Sequence, residues 1–423
     1  MNDHRHAYDS IRHRALALVE ERRVDPASER DQARSLVGAA VEEYQREAHL
    51  GRERALHDPE RMVDRVLRSL AEYGPLTALL ERSDIEEVFI EGSRVTFLEA
   101  GGRLRVLDEP TSESENRQVI DRLLAATNRR LDASNPIVQA RVLDGTARLT
   151  GVIRPVADHL SVTIRRYALR RETLDSLVDL ESLTPSAASF LRAAVVAGAS
   201  ILVSGPPGAG KTSMLSALLN AVPATRCVRC CEEVRELHVP LLQGSFYETR
   251  PPSLEGTGEI DLRTLVKVVL AMRPDLIVVG EVRGSEAFEL TRAVNAGCGF
   301  ACTVHANSAR DALEALVNAA LMAGENVPEQ VVRKVFAASI DLVVHLDRDA
   351  SGEGPPRRRV MEVLAVAPSL HDDFTTQPVF ARSHLGAALT WVGALPPEGL
   401  TSRMERAAGM GLAEICDGRG SPW

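Results

Sequence analysis

The stretch Ile201-Leu202-Val203-Ser204-Gly205-Pro206-Pro207-Gly208-Ala209-Gly210-Lys211-Thr212-Ser213 combines residue types that suit phosphate binding. An apolar run leads into Gly-x4-Gly-Lys-Thr. Apolar residues at helical spacing follow (Met214, Leu215, Leu218, Leu219), which is the strand–loop–helix context a P-loop requires. Gly208 and Gly210 let the backbone curl so that its N–H groups converge on phosphate oxygens, and the helix N-terminus adds its dipole. Lys211 is then the residue for the β- and γ-phosphates, and the Thr212 hydroxyl a ligand for Mg²⁺. Of 50 basic residues only three are lysines, at 211, 267 and 334, so a chain that otherwise chooses arginine has kept a lysine here. A plain Gly/Pro turn would not need one.

Three further stretches carry candidate chemistry. Met272-Arg273-Pro274-Asp275 precedes the apolar run 276–279 and then Gly280-Glu281-Val282-Arg283. An acidic residue at such a strand end suits the Mg²⁺ shell, which makes Glu281 the candidate; the plainer alternative is a helix-initiating glutamate. Cys227-Val228-Arg229-Cys230-Cys231 runs into Glu232-Glu233, and either carboxylate could orient or deprotonate water. The alternative there is surface charge after a strand. Thr303-Val304-His305-Ala306-Asn307 offers His305 as a γ-phosphate sensor or as an ordinary structural hydrogen-bonder. Cys227, Cys230, Cys298 and Cys302 raise a zinc site, but their spacing fits no zinc pattern well and Cys on a strand serves as a small buried hydrophobe.

The elements that must position these residues follow from periodicity. Residues 1–72 read as two or three amphipathic helices, residues 73–168 as a compact α/β module, and 169–180 as a linker. In the module, strands are expected at 85–90, 95–98, 104–106, 147–153 and 160–164, with a helix at 119–128. Residues 181–423 alternate strands and helices as a parallel sheet demands, with a flexible hairpin tip at 351–359 and a terminal helix near 400–412. The strand 276–279 is expected beside the 201–203 strand. If the 227–231 strand also adjoins it, Glu232 or Glu233 points at the γ-phosphate.

Composition narrows the class. Hydrophobic content of 44% with 26% charge describes a globular protein. The net charge of −9 and 4% aromatic content argue against a nucleic-acid binder. No opening signal peptide and no bilayer-length apolar run is read, so the expectation is a cytoplasmic chain that inserts into no membrane and meets one only through partners.

The four motifs, with Gly74-Pro75-Leu76, Asp84-Ile85-Glu86-Glu87-Val88, Asp144-Gly145 and Thr163-Ile164-Arg165-Arg166, resemble the type II/type IV secretion ATPase superfamily. Within it the chain looks most like the CpaF-type ATPases of tight-adherence (Flp) pilus systems. The resemblance covers roughly residues 65–370. It implies a RecA-like P-loop NTPase domain, a smaller N-terminal α/β (PAS-like) domain with a helical extension, and a homohexamer. It also implies ATP and Mg²⁺ as cofactors and inner-membrane platform proteins as partners. Residue by residue, it assigns Glu232 to the catalytic glutamate of an acidic box, Glu281 to the Walker B glutamate, and His305 to the second histidine of the His box. Arg250 matches an arginine near phosphate, across the subunit interface or within it, and Arg165 and Arg166 match N-domain arginines that approach nucleotide. Three positions depart from the family pattern: Glu233 where Asp is usual, Ser253 where Asn is usual, and Asn295-Ala296-Gly297-Cys298-Gly299, which lacks the first histidine. The expected function is ATP hydrolysis driving domain movement for pilus assembly or secretion. The alternatives are a type IV secretion or conjugation ATPase, and a low-turnover regulatory subunit.

Overall fold

The computed structural model describes residues 2–99, 103–127, 129–166, 172–237, 241–250, 252, 256–295, 297–324, 326–349, 357–368 and 373–420. The chain divides into two compact units, Met1–Ala168 and Leu169–Trp423.

In the first unit, helices Asn2–Arg22, Arg30–His49 and Pro59–Ala71 share one apolar cluster built on Tyr8, Ile11, Val37, Tyr44, Val66 and Leu67. The helix Pro59–Ala71 starts where Asp58 accepts the Arg61 N–H and Pro59 opens the first turn. Strands β1 (Ile85–Glu91), β2 (Arg94–Glu99), β3 (Arg103–Val106), β4 (Ile137–Val142), β5 (Ala147–Val152) and β6 (Ser161–Arg166) form a six-stranded sheet in the order β3-β2-β1-β6-β5-β4. Every pairing in it is antiparallel. Helix Glu113–Ala125 covers one face through Val119, Ile120, Leu123 and Leu124. A boundary at 72 is expected from the change of periodicity, whereas the helical segment and the sheet module belong to one unit. Tyr8 donates its hydroxyl to Glu115, and the Arg65 guanidinium lies 3.9 Å from the centre of the Tyr8 ring. Strand β4 was not anticipated. It is an edge strand on which Ile137 faces solvent, so its alternation is weak.

The second unit carries strands β7 (Ile201–Gly205), β8 (Val228–Glu232), β9 (Gly244–Glu248), β10 (Leu276–Val279) and β11 (Gly299–His305). Strands β12 (Leu342–Asp349), β13 (Arg357–Ala367), β14 (Thr375–Ala381) and β15 (Thr390–Trp391) complete one sheet in the order β15-β14-β13-β12-β7-β11-β10-β8-β9. From β12 to β9 all pairs are parallel, whereas β12 through β15 run antiparallel. Alternation on β7 divides the core. Ile201 and Val203 join helices Pro185–Val196, Lys211–Asn220 and Glu398–Ala408 on one face, and Leu202 joins helices Leu262–Leu270, Glu286–Asn295, Ala309–Leu321 and Glu329–Ser339 on the other. A fully buried carboxylate, Glu289, braces that second face by holding Arg263 at 2.8 Å, Lys267 at 3.5 Å and Arg292 at 3.1 Å. Among the described residues, no helix is long and apolar enough to cross a membrane.

Three expectations are corrected. Strand β10 does not lie beside β7, because β11 stands between them, and β8 lies one place further out. The expected linker 169–180 contains helix Leu174–Asp179, closed by a Thr173/Ser176 capping box, with Leu174 and Leu177 buried in the core. The expected terminal helix is two, Glu398–Ala408 and Leu412–Cys416, separated where Gly409 takes φ 70°.

Phe190 is fully buried and meets Phe380 edge to face, ring centres 5.3 Å apart. Phe190→Ala is expected to cost about 3–5 kcal/mol and to lower the melting temperature of this unit by about 10 °C in calorimetry.

Candidate active site

The loop after β7 is shaped by three glycines with positive φ, Gly205 (153°), Gly208 (75°) and Gly210 (94°). Gly205 is also a close approach: a β-carbon there would lie 2.4 Å from the Leu346 carbonyl oxygen. Gly210 is the N-cap of helix Lys211–Asn220. Pro206, Pro207 and Gly208 are accessible, Ala209 is buried beneath them, and Thr212 and Ser213 are half-buried in the first turn.

Lys211 is buried, 7% exposed. Its ammonium donates to the carbonyls of Gly205 at 3.1 Å and Pro206 at 3.3 Å, and to His305 Nδ1 at 2.9 Å. The neighbouring strand delivers that histidine, since the β7–β11 register pairs His305 with Gly205. His305 Nε2 in turn meets Glu281 Oε1 at 2.6 Å. With Nδ1 accepting from the lysine, Nε2 carries the proton toward the carboxylate. Glu281 also pairs with Arg283, whose Nη1 lies 3.5 Å from Glu233. The backbone below is tied down: Val282 N–H donates to the Thr303 carbonyl at 2.8 Å and the Thr303 hydroxyl to the Gly280 carbonyl at 2.6 Å. The Glu286 carboxylate accepts the N–H groups of Arg283 and Gly284 at 2.6 and 2.8 Å.

The structure therefore joins Lys211, His305 and Glu281 in one contact chain. Glu232 stands apart from it. It closes β8, three strand spacings from β7, or ~14 Å. Its side chain turns inward, 3% exposed, and Oε1 accepts the N–H groups of Glu236 and Leu237 at 3.0 and 3.1 Å. Oε2 is buried with no hydrogen-bond partner among the described residues. Burial raises its pKa to about 7, against the opposing pull of the two N–H donors. Its Cγ lies so close to Gly280 that a β-carbon on that glycine would sit 2.9 Å away. The sequence condition for aiming Glu232 at a γ-phosphate, that β8 adjoin β7, is not met.

Arg250 follows edge strand β9, four spacings from β7, and donates to the Gly258 carbonyl at 2.7 Å. Arg165 and Arg166 belong to the other unit. There Arg166 donates to the carbonyls of Leu80 and Arg82 at 2.7 and 2.6 Å, and Arg165, half exposed, lies 3.6 Å from Glu87. Cys230, Cys231, Cys298 and Cys302 are free and buried, and among the described residues no group of three or more His, Cys, Asp or Glu side chains gathers to hold a metal. Ser253 and Ala296 lie outside the described residues. Two residues that sequence reasoning did not single out also border the site. Arg283 was legible as a charge two places from Glu281. Arg348 is brought in by β12, and no local pattern announces it.

A glycine loop feeding a helix N-terminus, with lysine, histidine and carboxylate at the carboxyl edge of a parallel sheet, defines a RecA-like, nucleotide-binding ATPase. The family model for Type II/IV secretion system proteins matches residues 69–365, and the chain belongs to that family. A Mycobacterium tuberculosis (strain H37Rv) protein named for conjugal transfer is 34% identical over 316 residues, which is 71% of this chain and 87% of its own. The type IV secretion system protein PtlH of Bordetella pertussis is 33% identical over 259 residues, 53% of this chain and 73% of its own. Among solved structures, the VirB11 ATPase of the Brucella suis type IV secretion system is similar at 24% identity and a TM-score of 0.37, over 68% of this chain and 91% of that one.

Glu232 offers a test of this geometry. A glutamate that titrates at 4.5 when unfolded and near 7 when folded takes up a proton on folding between those values. Stability should thus fall as pH rises through that window and level off above it. Glu232→Gln, neutral throughout, should flatten that slope and stabilise the protein above pH 7 by about 1–3 kcal/mol in denaturant titrations. An unchanged slope would mean the carboxyl is solvated.

Proposed function

We propose that the chain is the ATP-hydrolysing motor subunit of a type IV secretion or conjugation apparatus. It would act as a homohexamer at the cytoplasmic face of the membrane, on platform proteins of that apparatus. The observation that carries the catalytic part is the chain from Lys211 through His305 to Glu281, with contacts of 2.9 and 2.6 Å. The names of the related proteins support the transport part, conjugal transfer and type IV secretion among them. The tight-adherence pilus reading remains a second one, supported by motif order and by the N-terminal motifs around Gly74 and Asp144.

In this reading water attacks the γ-phosphorus, the bond to the bridging oxygen breaks, and ADP and phosphate leave. Lys211 neutralises charge on the β- and γ-oxygens, while the loop N–H groups hold the β-phosphate. Glu281 orients the water and accepts its proton. His305 senses the γ-phosphate, because its ring is shared between the phosphate-binding lysine and the water-orienting glutamate. The donor set fits Mg²⁺: the Thr212 hydroxyl at the helix start would be a hard oxygen ligand and Glu281 would act through a water of the shell, since Mg²⁺ keeps most of its shell as water and phosphate oxygen. Bound there, it would offset charge on the phosphate chain. Glu232 is a positioning residue in this account, bracing the Gly280 backbone next to Glu281. Arg250, Arg165 and Arg166 carry no step in this account.

Phosphate release by the purified protein tests the assignment. Lys211→Ala should lose nucleotide binding and turnover together. Glu281→Gln should bind ATP yet turn over about 10²–10⁴-fold more slowly, and Glu232→Gln should lose much less. Equal losses in both glutamine variants would return the catalytic role to Glu232.

A further inference from the structure

The β12–β13 hairpin lies along the phosphate loop, and its contacts are unusually basic. The Leu346 carbonyl backs Gly205, and the Arg358 stem lies against Gly210, its Cδ 3.5 Å from where a β-carbon would stand. Arg348 reaches Gly208 most closely. A β-carbon on that glycine would meet the guanidinium Nη1 at 2.7 Å. Gly208 is therefore held to glycine twice, by φ 75° and by an arginine packed on its only substitutable face. Arg348 is exposed, and among the described residues its guanidinium has no ion pair. Its neighbour Asp347 accepts the Arg348 backbone N–H at 2.7 Å.

This arrangement concentrates like charge. The Lys211 ammonium, the helix N-terminus and the Arg348 guanidinium converge on one short loop. Glu281, the carboxylate nearest to Lys211 along the contact chain, is already engaged by His305 and Arg283. Placing a cation beside a positive helix end is unfavourable in itself and becomes favourable once a polyanion occupies the loop.

We propose that Arg348 is a nucleotide-binding residue, a same-chain arginine that contacts the phosphate chain of the nucleotide held by the loop. The assignment rests on the reading of that loop as the ATP site. Arg348 contributes to ground-state binding of di- and triphosphate alike, whereas Glu281 acts on the attacking water. Arg358 supports it by packing its stem on Gly210. The same contact gives the hairpin a direct report of whether nucleotide is bound.

The full-length protein is titrated with fluorescent ATP and ADP in Mg²⁺, and phosphate release gives KM and kcat. Arg348→Ala should weaken both nucleotides and raise KM by about 10-fold, with kcat within about threefold and melting unchanged. Arg348→Lys should recover part of the binding, because a point charge replaces a fork. Arg357→Ala, at an exposed neighbour away from the loop, should leave binding as in the parent protein. If Arg348→Ala binds normally while Lys211→Ala does not, the assignment is wrong and the ATP site stands. If Arg357→Ala is as impaired as Arg348→Ala, the effect is diffuse charge and the assignment is again wrong. If the parent protein binds neither nucleotide, the loop reading falls and the assignment with it.

Discussion

A buried ammonium governs the candidate site. Lys211 sits almost out of solvent, and a charge so placed is tolerated only when its donors are met. Two carbonyls of its own loop and the imidazole of His305 meet them. Each acceptor is fixed by something larger. The carbonyls point inward because Gly205 takes a backbone conformation closed to other residues against the Leu346 carbonyl. The imidazole arrives because β11 pairs with β7 in a register that sets His305 level with Gly205. Shifting that register by one residue would turn His305 to the opposite face and leave the ammonium short of a partner. The nucleotide loop and the sheet register thus constrain each other.

The parallel sheet explains why motifs scattered over a hundred residues converge. Strands β7, β11, β10 and β8 end at the same edge, with Leu202, Cys302, Val279 and Cys231 level in successive pairings. The residues that follow, His305, Glu281 and Glu232, are therefore presented along one rim, ordered by strand position. That order also separates their contacts. Glu281 lies near enough to share His305 with the lysine. Glu232, farther out, spends its carboxylate on two backbone N–H groups and packs against Gly280. An acidic pair after a strand looks the same in sequence whether the strand is one place or three from the loop.

Much of this was legible beforehand. The glycines, Lys211 and Thr212 form a local pattern, so their strand–loop–helix setting could be read from twenty residues, and most strands fell within a residue or two of their expected places. What could not be read was non-local. The insertion of β11 between β7 and β10 leaves no mark on either strand, because all three are short apolar runs. Helix Leu174–Asp179 reads as a linker because six residues show little periodicity, although the Thr173/Ser176 capping box is a local mark of its start. Arg348 and Arg358 depend on a hairpin turning back along the loop. Only the pairing of β12 with both β7 and β13 reveals that.

The same geometry bears on the histidine that the family pattern expects and this chain lacks. Cys298, in the altered segment 295–299, directly precedes Gly299, where β11 begins, and His305 closes that strand. Seven residues of extended chain separate the two by about 23 Å, so they occupy opposite edges of the sheet. Cys298 is buried there, its thiol directed to the Gly299 carbonyl at 3.2 Å and its pKa raised to about 11 by burial, which leaves it an inert hydrophobe rather than a nucleophile or ligand. A histidine at the amino edge could not reach a phosphate at the carboxyl edge. The Lys211–His305–Glu281 chain is complete without it. The histidine retained is the one that the strand register delivers to the lysine.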